Sequence, residues 1–256
     1  MQPGARKRGA TLSGMRLQQI LFSQGFGSRR ECDALLQDGQ VQVAGRVVLD
    51  SNESFDPTDL QFNVSGRDWP YQERAVVMLH KPAGHECSRQ PRHHPSVLSL
   101  LPPPLQRRGV QPVGRLDEDT TGLLLLTDDG GLIHRLTHPR RHVAKIYEVG
   151  TVHPVEEAQV AALLAGVLLH DDPVKARAGS CERTGESSLR MGITEGRYHQ
   201  VKRMVAAAGN RVQTLHRSAF GTLSLPPDLA PGQWRWLQPL ELALLRDPNG
   251  APSLPG

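Results

Sequence analysis

"GRLDEDTTGLLLLTDDG" (residues 114–130) is the stretch on which the fold of this chain turns. Four consecutive leucines bounded by turn-forming residues read as a short, buried strand. "TDDG" then supplies a turn, with Asp128 or Asp129 placed to cap a helix that begins near Gly131 and stops before Pro139. Five carboxylates flank the leucines. Glu118 and Asp119 read as the solvated face of the loop that enters the strand, whereas Asp117 stands at the strand entrance itself. Taken from the residues alone, Asp117 is either a turn or cap residue or an acid held for chemistry.

Working outward, strand-like "AVVMLHKPAG" precedes this stretch. "AKIYEVG", helical "VEEAQVAALLAG", the strand "SSLRMGITEG", helical "RYHQVKRMVAAAGN" and the strand-rich "RVQTLHRSAFGTLSL" follow it. Strands outnumber helices and do not alternate with them regularly. The expectation is an α+β layered domain over residues 75–246 rather than a doubly wound one.

Residues 15–64 read as a separate small domain: helix, helix, hairpin. "MRLQQILFSQGFG" carries Leu17, Ile20, Leu21 and Phe22 at helical spacing and stops at glycine. In "SRRECDALLQDG", Ser28 and Glu31 have the spacing of a capping box. Alternating Val41 and Val43, then Ala44-Gly45, predict a hairpin. Arg29 and Arg30 sit in the first turn of the second helix, where the helix dipole favours acids. They are either inexpensive surface residues or contacts to a phosphate backbone. Seven acids against four arginines across 15–64 mean that net charge is no argument for RNA here; placement is. Residues 65–74 read as a polar linker, 1–14 as a flexible basic tail and 247–256 as a disordered one.

The chain has 256 residues, a formal net charge of +4 and a pI near 9.2, compatible with an acidic partner. Cys32, Cys87 and Cys181 are far apart and form no CxxC pair, as expected of reduced thiols in a cytoplasmic protein. No apolar segment follows the basic N-terminal residues as in a secretory signal, and the longest apolar run is far too short for a bilayer. In "HRLTHPRRHVAK", Pro139 breaks the helix that would align the histidines, so a basic loop facing RNA phosphate is expected there and not a metal site. His93, His94 and the pair Arg107-Arg108 read as exposed loop residues that touch RNA.

In "RYHQVKRMVAAAGN", Tyr198, Val201, Lys202 and Val205 share one arc. A lysine in an apolar arc either snorkels outward or meets a carboxylate, because an unpaired buried charge is costly. Asp117 is the acid on offer.

Four stretches in this order resemble the motifs of the pseudouridine synthases: "HKPAGHECS", "GRLDEDTTGLLLLTDDG", "AKIYEV" and "EGRYHQVKRMVAAAGNRVQTLHR". The small domain resembles the αL-type RNA-binding motif of a small-subunit ribosomal protein. The order of the two is similar to the RsuA-type branch of the family, and "GRYHQVKRM" and "VLLHDDPVKARA" to its small-subunit (16S) members. The resemblance implies a mixed, largely antiparallel catalytic sheet and isomerisation of a uridine in 16S rRNA without a cofactor. It implies Asp117 as nucleophile, Lys202 as the carboxylate's partner, Tyr147 as the residue that stacks on the base and helps remove the last proton, and Arg115 as the side chain holding the flipped nucleotide or its phosphate. Arg16, Arg29, Arg30, Lys81, Arg140, Arg141, Lys145, Arg197, His199 and Arg203 are the expected RNA contacts. The expected partner is small-subunit rRNA or a 30S assembly intermediate, bound by a monomer that does not engage membranes. The other readings are a large-subunit (23S) enzyme of the same branch, a non-catalytic rRNA-binding protein, and a hydrolase using two acids across a glycosidic bond, which would release free uracil.

Overall fold

The structure, a computed structural model, describes residues 14–245. The two expected tails therefore lie outside the described residues, apart from Gly14. The chain divides into two compact units, one running to Glu73 and taking in Pro103–Gly109, the other formed by Arg74–Pro102 and Val110 onward.

In the first unit β1 (Met15–Arg16) leads into α1 (Leu17–Ser23) and α2 (Arg29–Gln37). The Ser28 hydroxyl accepts from the Glu31 N–H, and the Glu31 carboxylate accepts from the Ser28 N–H at 2.7 Å, so the capping box forms. Strands β2 (Val41–Val43) and β3 (Arg46–Val47) make the expected hairpin; both turn residues, Ala44 and Gly45, have positive φ, as a tight hairpin turn requires. β4 (Ser54–Phe55) pairs with β1, and β5 (Gln61–Val64) and β6 (Arg67–Pro70) complete a four-stranded antiparallel sheet in the order β3-β2-β5-β6.

β6 corrects the expected linker. Trp69 pairs with Phe62 across the ladder, is 2% exposed and meets Phe26 edge to face, so an apolar anchor hidden in a polar stretch makes it a strand. The second correction is α3 (Pro103–Arg107), which belongs to this unit although it lies within the sequence range of the larger domain. Leu105 is fully buried, and Arg108 donates to the Gln24 side chain and to the carbonyls of Gln72 and Glu73. Its guanidinium is committed to these acceptors, not displayed on an RNA-facing loop.

The second unit is built on one mixed sheet. Its strands are β7 (Val76–Lys81), β8 (Gln111–Pro112), β9 (Thr121–Thr127), β10 (Lys145–Thr151), β13 (Ser180–Gly185), β14 (Ser188–Ile193), β15 (Val212–Phe220), β16 (Leu223–Ser224) and β17 (Trp234–Trp236), with a separate hairpin of β11 (Val167–Leu169) and β12 (Asp172–Ala176) between β10 and β13 in the chain. The order is β13-β14-β10-β15-β9-β7-β17, with β16 beside β15 and β8 beside β9. Every pairing is antiparallel except the short one between β15 and β9, as expected of a mixed, largely antiparallel sheet. The four leucines of β9 are fully buried, which explains the unbroken apolar run. Helices α4 (Gly130–Thr137), α5 (Glu157–Ala165), α6 (Gln200–Ala207) and α7 (Pro239–Leu244) complete the unit. Asp129 caps α4 by accepting from the Leu132 N–H, and Asp128 accepts from the Ala75 N–H.

Candidate active site

The loop between β8 and β9 places Asp117 at the rim of a cavity of about 450 Å³, lined also by Arg115, Lys145, Tyr147, His199 and Arg217. Lys202 Nζ stands 3.1 Å from Asp117 Oδ2, and His199 Nε2 stands 3.3 Å from Oδ1. The carboxylate is thus held on both oxygens. His199 was expected on RNA; the structure turns it inward. It precedes α6 with φ 46° and ψ 37°, and its ring stacks on Tyr198 at 3.8 Å. The buried face of α6 is Gln200, Val201, Met204 and Val205, so Lys202 lies beside the apolar arc and Tyr198, before the helix, is exposed.

Asp119 is exposed, as expected of the loop's solvated face, yet it makes an ion pair that the sequence does not announce. Its two oxygens lie 2.6 and 2.8 Å from Lys202 Nζ, so the ammonium is shared between two carboxylates. Burial opposes the charge on Lys202, but hydrogen bonds to Asp119 and Asp117 outweigh it and raise its pKa. Burial likewise opposes ionisation of Asp119, and the ammonium overrides it, leaving the carboxyl below its ordinary pKa.

Lys81 is the largest correction. It is fully buried, and all three of its donors are used: Pro82 O at 3.0 Å, Glu118 O at 2.9 Å and Thr120 O at 2.8 Å. Burial pushes its pKa down against the pull of Cys87, Glu118, Asp119 and Asp117. It does not face RNA; it ties the end of β7 to the backbone on either side of Asp119. Gly84 adds a bond from its N–H to Glu118 O.

Two further expected RNA contacts are occupied within the protein. Arg197 pairs with Asp172 and Glu195 and donates to the carbonyls of Val174 and Lys175. Arg203 pairs with Asp171 and donates to Tyr198 O. Both fasten the region around α6 to the β11–β12 hairpin. Lys145 opens β10 and is half-buried in the cavity wall, not displayed on the preceding loop. Arg140 and Arg141 are exposed in a 3-10 turn over Pro139–Arg141. In the first unit Arg16, Arg29 and Arg30 are exposed, with Arg29 over the exposed Phe22 ring at 5.7 Å.

Tyr147, 7% exposed, sits on β10 directly across from Arg217 on β15. Arg217 was not singled out from the sequence. The signal was there: Leu215, Arg217 and Ala219 alternate onto the buried side of β15, so a charge stands on a core face. Glu86, in the loop after β7, accepts from the backbone N–H groups of His93, His94 and Arg92, which hold its carboxyl down at about 2. It orders the loop carrying the two expected RNA-facing histidines.

Known proteins resemble this chain along nearly its whole length. Residues 75–207 match the RNA pseudouridylate synthase family, and residues 15–60 match the S4 domain. A protein of Yersinia pestis named ribosomal small subunit pseudouridine synthase A is 40% identical over 92% of this chain and all of the relative. The protein of that name from Escherichia coli K12 is 38% identical over 90% of this chain and 99% of its own length. An uncharacterised RNA pseudouridine synthase of Bacillus subtilis, YtzG, is 39% identical over 92% of this chain and all of the relative. A solved pseudouridylate synthase superposes over 90% of this chain and 99% of its own, with a TM-score of 0.64 and 33% identity.

Proposed function

The chain belongs to the RNA pseudouridylate synthase family, and from that premise we propose that it isomerises a uridine of small-subunit (16S) rRNA with Asp117 as nucleophile. It is a pseudouridine synthase, an isomerase. Support for the small-subunit substrate is the near-complete coverage of relatives named for that subunit. The observation that carries the catalytic reading is the Asp117 carboxylate, gripped by Lys202 and His199 at the rim of a cavity that Tyr147 also lines.

The reaction breaks the bond from uracil N1 to ribose C1′ and makes one from C5 to C1′. A carboxylate attacks, and the Lys202 ammonium 3.1 Å away orients it toward the cavity. Tyr147 offers a flat aromatic face to the extruded base, its phenol placed to assist loss of the C5 proton. Arg115, exposed at the cavity mouth, holds the flipped nucleotide through its phosphate. Atoms balance without redox or group transfer, so the chemistry calls for no cofactor. Arg16, Arg29 and Arg30 on the S4 domain, and Arg140 and Arg141 on the catalytic unit, supply phosphate contacts that position rather than read the RNA. The protein works as a monomer on rRNA or a 30S assembly intermediate.

The test is to incubate unmodified 16S rRNA, with and without ribosomal proteins, with wild type and Asp117→Asn, and to map pseudouridine by chemical labelling and reverse-transcription stops. One new stop with wild type alone is expected. A stop on 23S rRNA instead overturns the substrate, and an active Asp117→Asn overturns the nucleophile.

A further inference from the structure

Arg217 is 2% exposed, the most buried charged side chain in the cavity lining. Its Nε donates to Leu123 O at 2.8 Å, its guanidinium lies 5.3 Å from the centre of the Phe220 ring, and its Nη2 is buried with no hydrogen-bond partner. No carboxylate of the described residues pairs with it. Lys145 stands nearby, with Nζ 5.9 Å from the same ring and only a long bond, 3.5 Å, to Thr194 O. The two cations therefore share one buried aromatic ring and one cavity without an acid between them. Burial and the neighbouring Arg217 push Lys145 down to about 8. A buried cation without a counter-charge is costly, and two side by side more so. Such an arrangement persists at sites that receive charge from a ligand.

We propose that Arg217 and Lys145 form an oxyanion site for the uracil base, receiving the negative charge that its carbonyl oxygens carry after the N1–C1′ bond breaks. This rests on the reading that uridine is isomerised in this cavity. Heterolysis leaves the bonding pair on the ring, spread over N1, O2 and O4. C5 then bonds to C1′ and loses its proton, and N1 gains one. The ring becomes anionic whether Asp117 attacks the ribose or the base, so the need for a cation is independent of that step. A base edge fits the place better than a phosphate does. Arg217 lies directly across from Tyr147, the face on which the base stacks, and a flipped base enters alone. A phosphate would have to bring the strand on both of its sides into the interior. Preorganised donors aimed at developing charge are among the strongest contributors to catalysis.

The test pairs enzyme variants with altered substrates in single-turnover assays on the full chain. Arg217→Lys keeps the charge but loses the fork, and is expected to cut kcat about 100-fold while KM for RNA changes less than about threefold. Replacing the target uridine with 2-thiouridine or 4-thiouridine weakens one acceptor at a time. At the oxygen that Arg217 contacts, the thio substitution slows wild type but adds little to Arg217→Lys. Full additivity at both positions overturns the proposal. So does non-additivity with a methylphosphonate on the 5′ side of the target, which would make this a phosphate site. If Arg217→Lys does not fold, Lys145→Met takes its place in the same cycle. An active Asp117→Asn would sink the reading of the cavity, an outcome distinct from additivity in the thio cycle.

Discussion

Replacing Lys81 with methionine keeps the length of the side chain and removes its charge and three donors. Each hydrogen bond to a charged group contributes about 1.5–3 kcal/mol. Three give a gross loss of roughly 5–9 kcal/mol, offset by several kcal/mol because a buried ammonium no longer has to be desolvated. Three backbone carbonyls lose this donor, although Glu118 O keeps the Gly84 N–H, so the net expectation is a destabilisation of about 2–4 kcal/mol. At roughly 2–4 °C per kcal/mol for a domain of this size, the melting temperature of Lys81→Met falls by roughly 4–16 °C. Stability alone is a weak criterion, so the assay needs a companion. Met78→Ala, in the same strand and fully buried, should cost a similar 2–5 kcal/mol by leaving a cavity. At a temperature where both variants are folded, single-turnover pseudouridine formation is compared. Lys81→Met should be slowed at least tenfold because the Asp117 loop is no longer tied to β7, while Met78→Ala stays within about twofold of wild type. A Lys81→Met protein that melts within about 1 °C of wild type and retains its rate would refute the argument.

Other expectations follow from the same geometry. Asp119→Asn returns Lys202 to Asp117 alone and disturbs a largely exposed pair, worth up to about 1 kcal/mol, so its kcat should change by no more than roughly fivefold, whereas Lys202→Met should lose about 100-fold. Lys145 has a native pKa of about 8, below its ordinary 10.5. Between those values the unfolded chain keeps a proton that the native state has shed, so stability rises with pH across this window and the gain is lost as pH falls through 8. Urea titrations should therefore find Lys145→Met more stable than wild type at pH 7, with the difference closing toward pH 10.5. Ser28→Ala removes half of the capping box and should cost about 1 kcal/mol, read from the urea midpoint of the first unit. Deleting the chain up to Glu73 strips Leu105 and Arg108 of the unit they pack in; solubility should return only when Pro103–Gly109 is also replaced by a short glycine-serine linker.

Much of this architecture was legible because local signals agreed with one another. The four leucines, the Ser28–Glu31 spacing, the Ala44-Gly45 turn and Asp129 before α4 each specify their own element. Failures cluster where a partner is distant in sequence. Lys81 reads as an exposed cation because its three acceptors lie 1, 37 and 39 residues away and are backbone carbonyls, which carry no residue signature. Arg197 and Arg203 are claimed by Asp172 and Asp171 on a hairpin that only the tertiary fold brings near. The pairing of Asp117 with Lys202 was anticipated as one of two outcomes for a lysine beside an apolar arc. The contact of Asp119 with Lys202 was missed because Asp119 stays exposed, and periodicity cannot say which acid of a loop a lysine reaches.

The short parallel seam between β9 and β15 divides the second unit into two sets of antiparallel strands. It consists of His216 beside Thr121 and Arg217 beside Gly122. A Cβ at Gly122 would lie 2.3 Å from the Arg217 carbonyl oxygen, so the backbones meet there at the limit of contact. Asp117 precedes the strand on one side of the seam; Tyr147, Lys202 and Arg217 belong to the other. The first set is closed by β17, which arrives only at the end of the chain. The hairpins β13–β14 and β15–β16 can zip up locally, but β10 meets β15, β17 meets β7 and the seam closes only when residues far apart in sequence, about 95 positions at the seam, have met. The constellation around Asp117 is then a late product of folding, and refolding chains should regain their hairpins before they regain turnover.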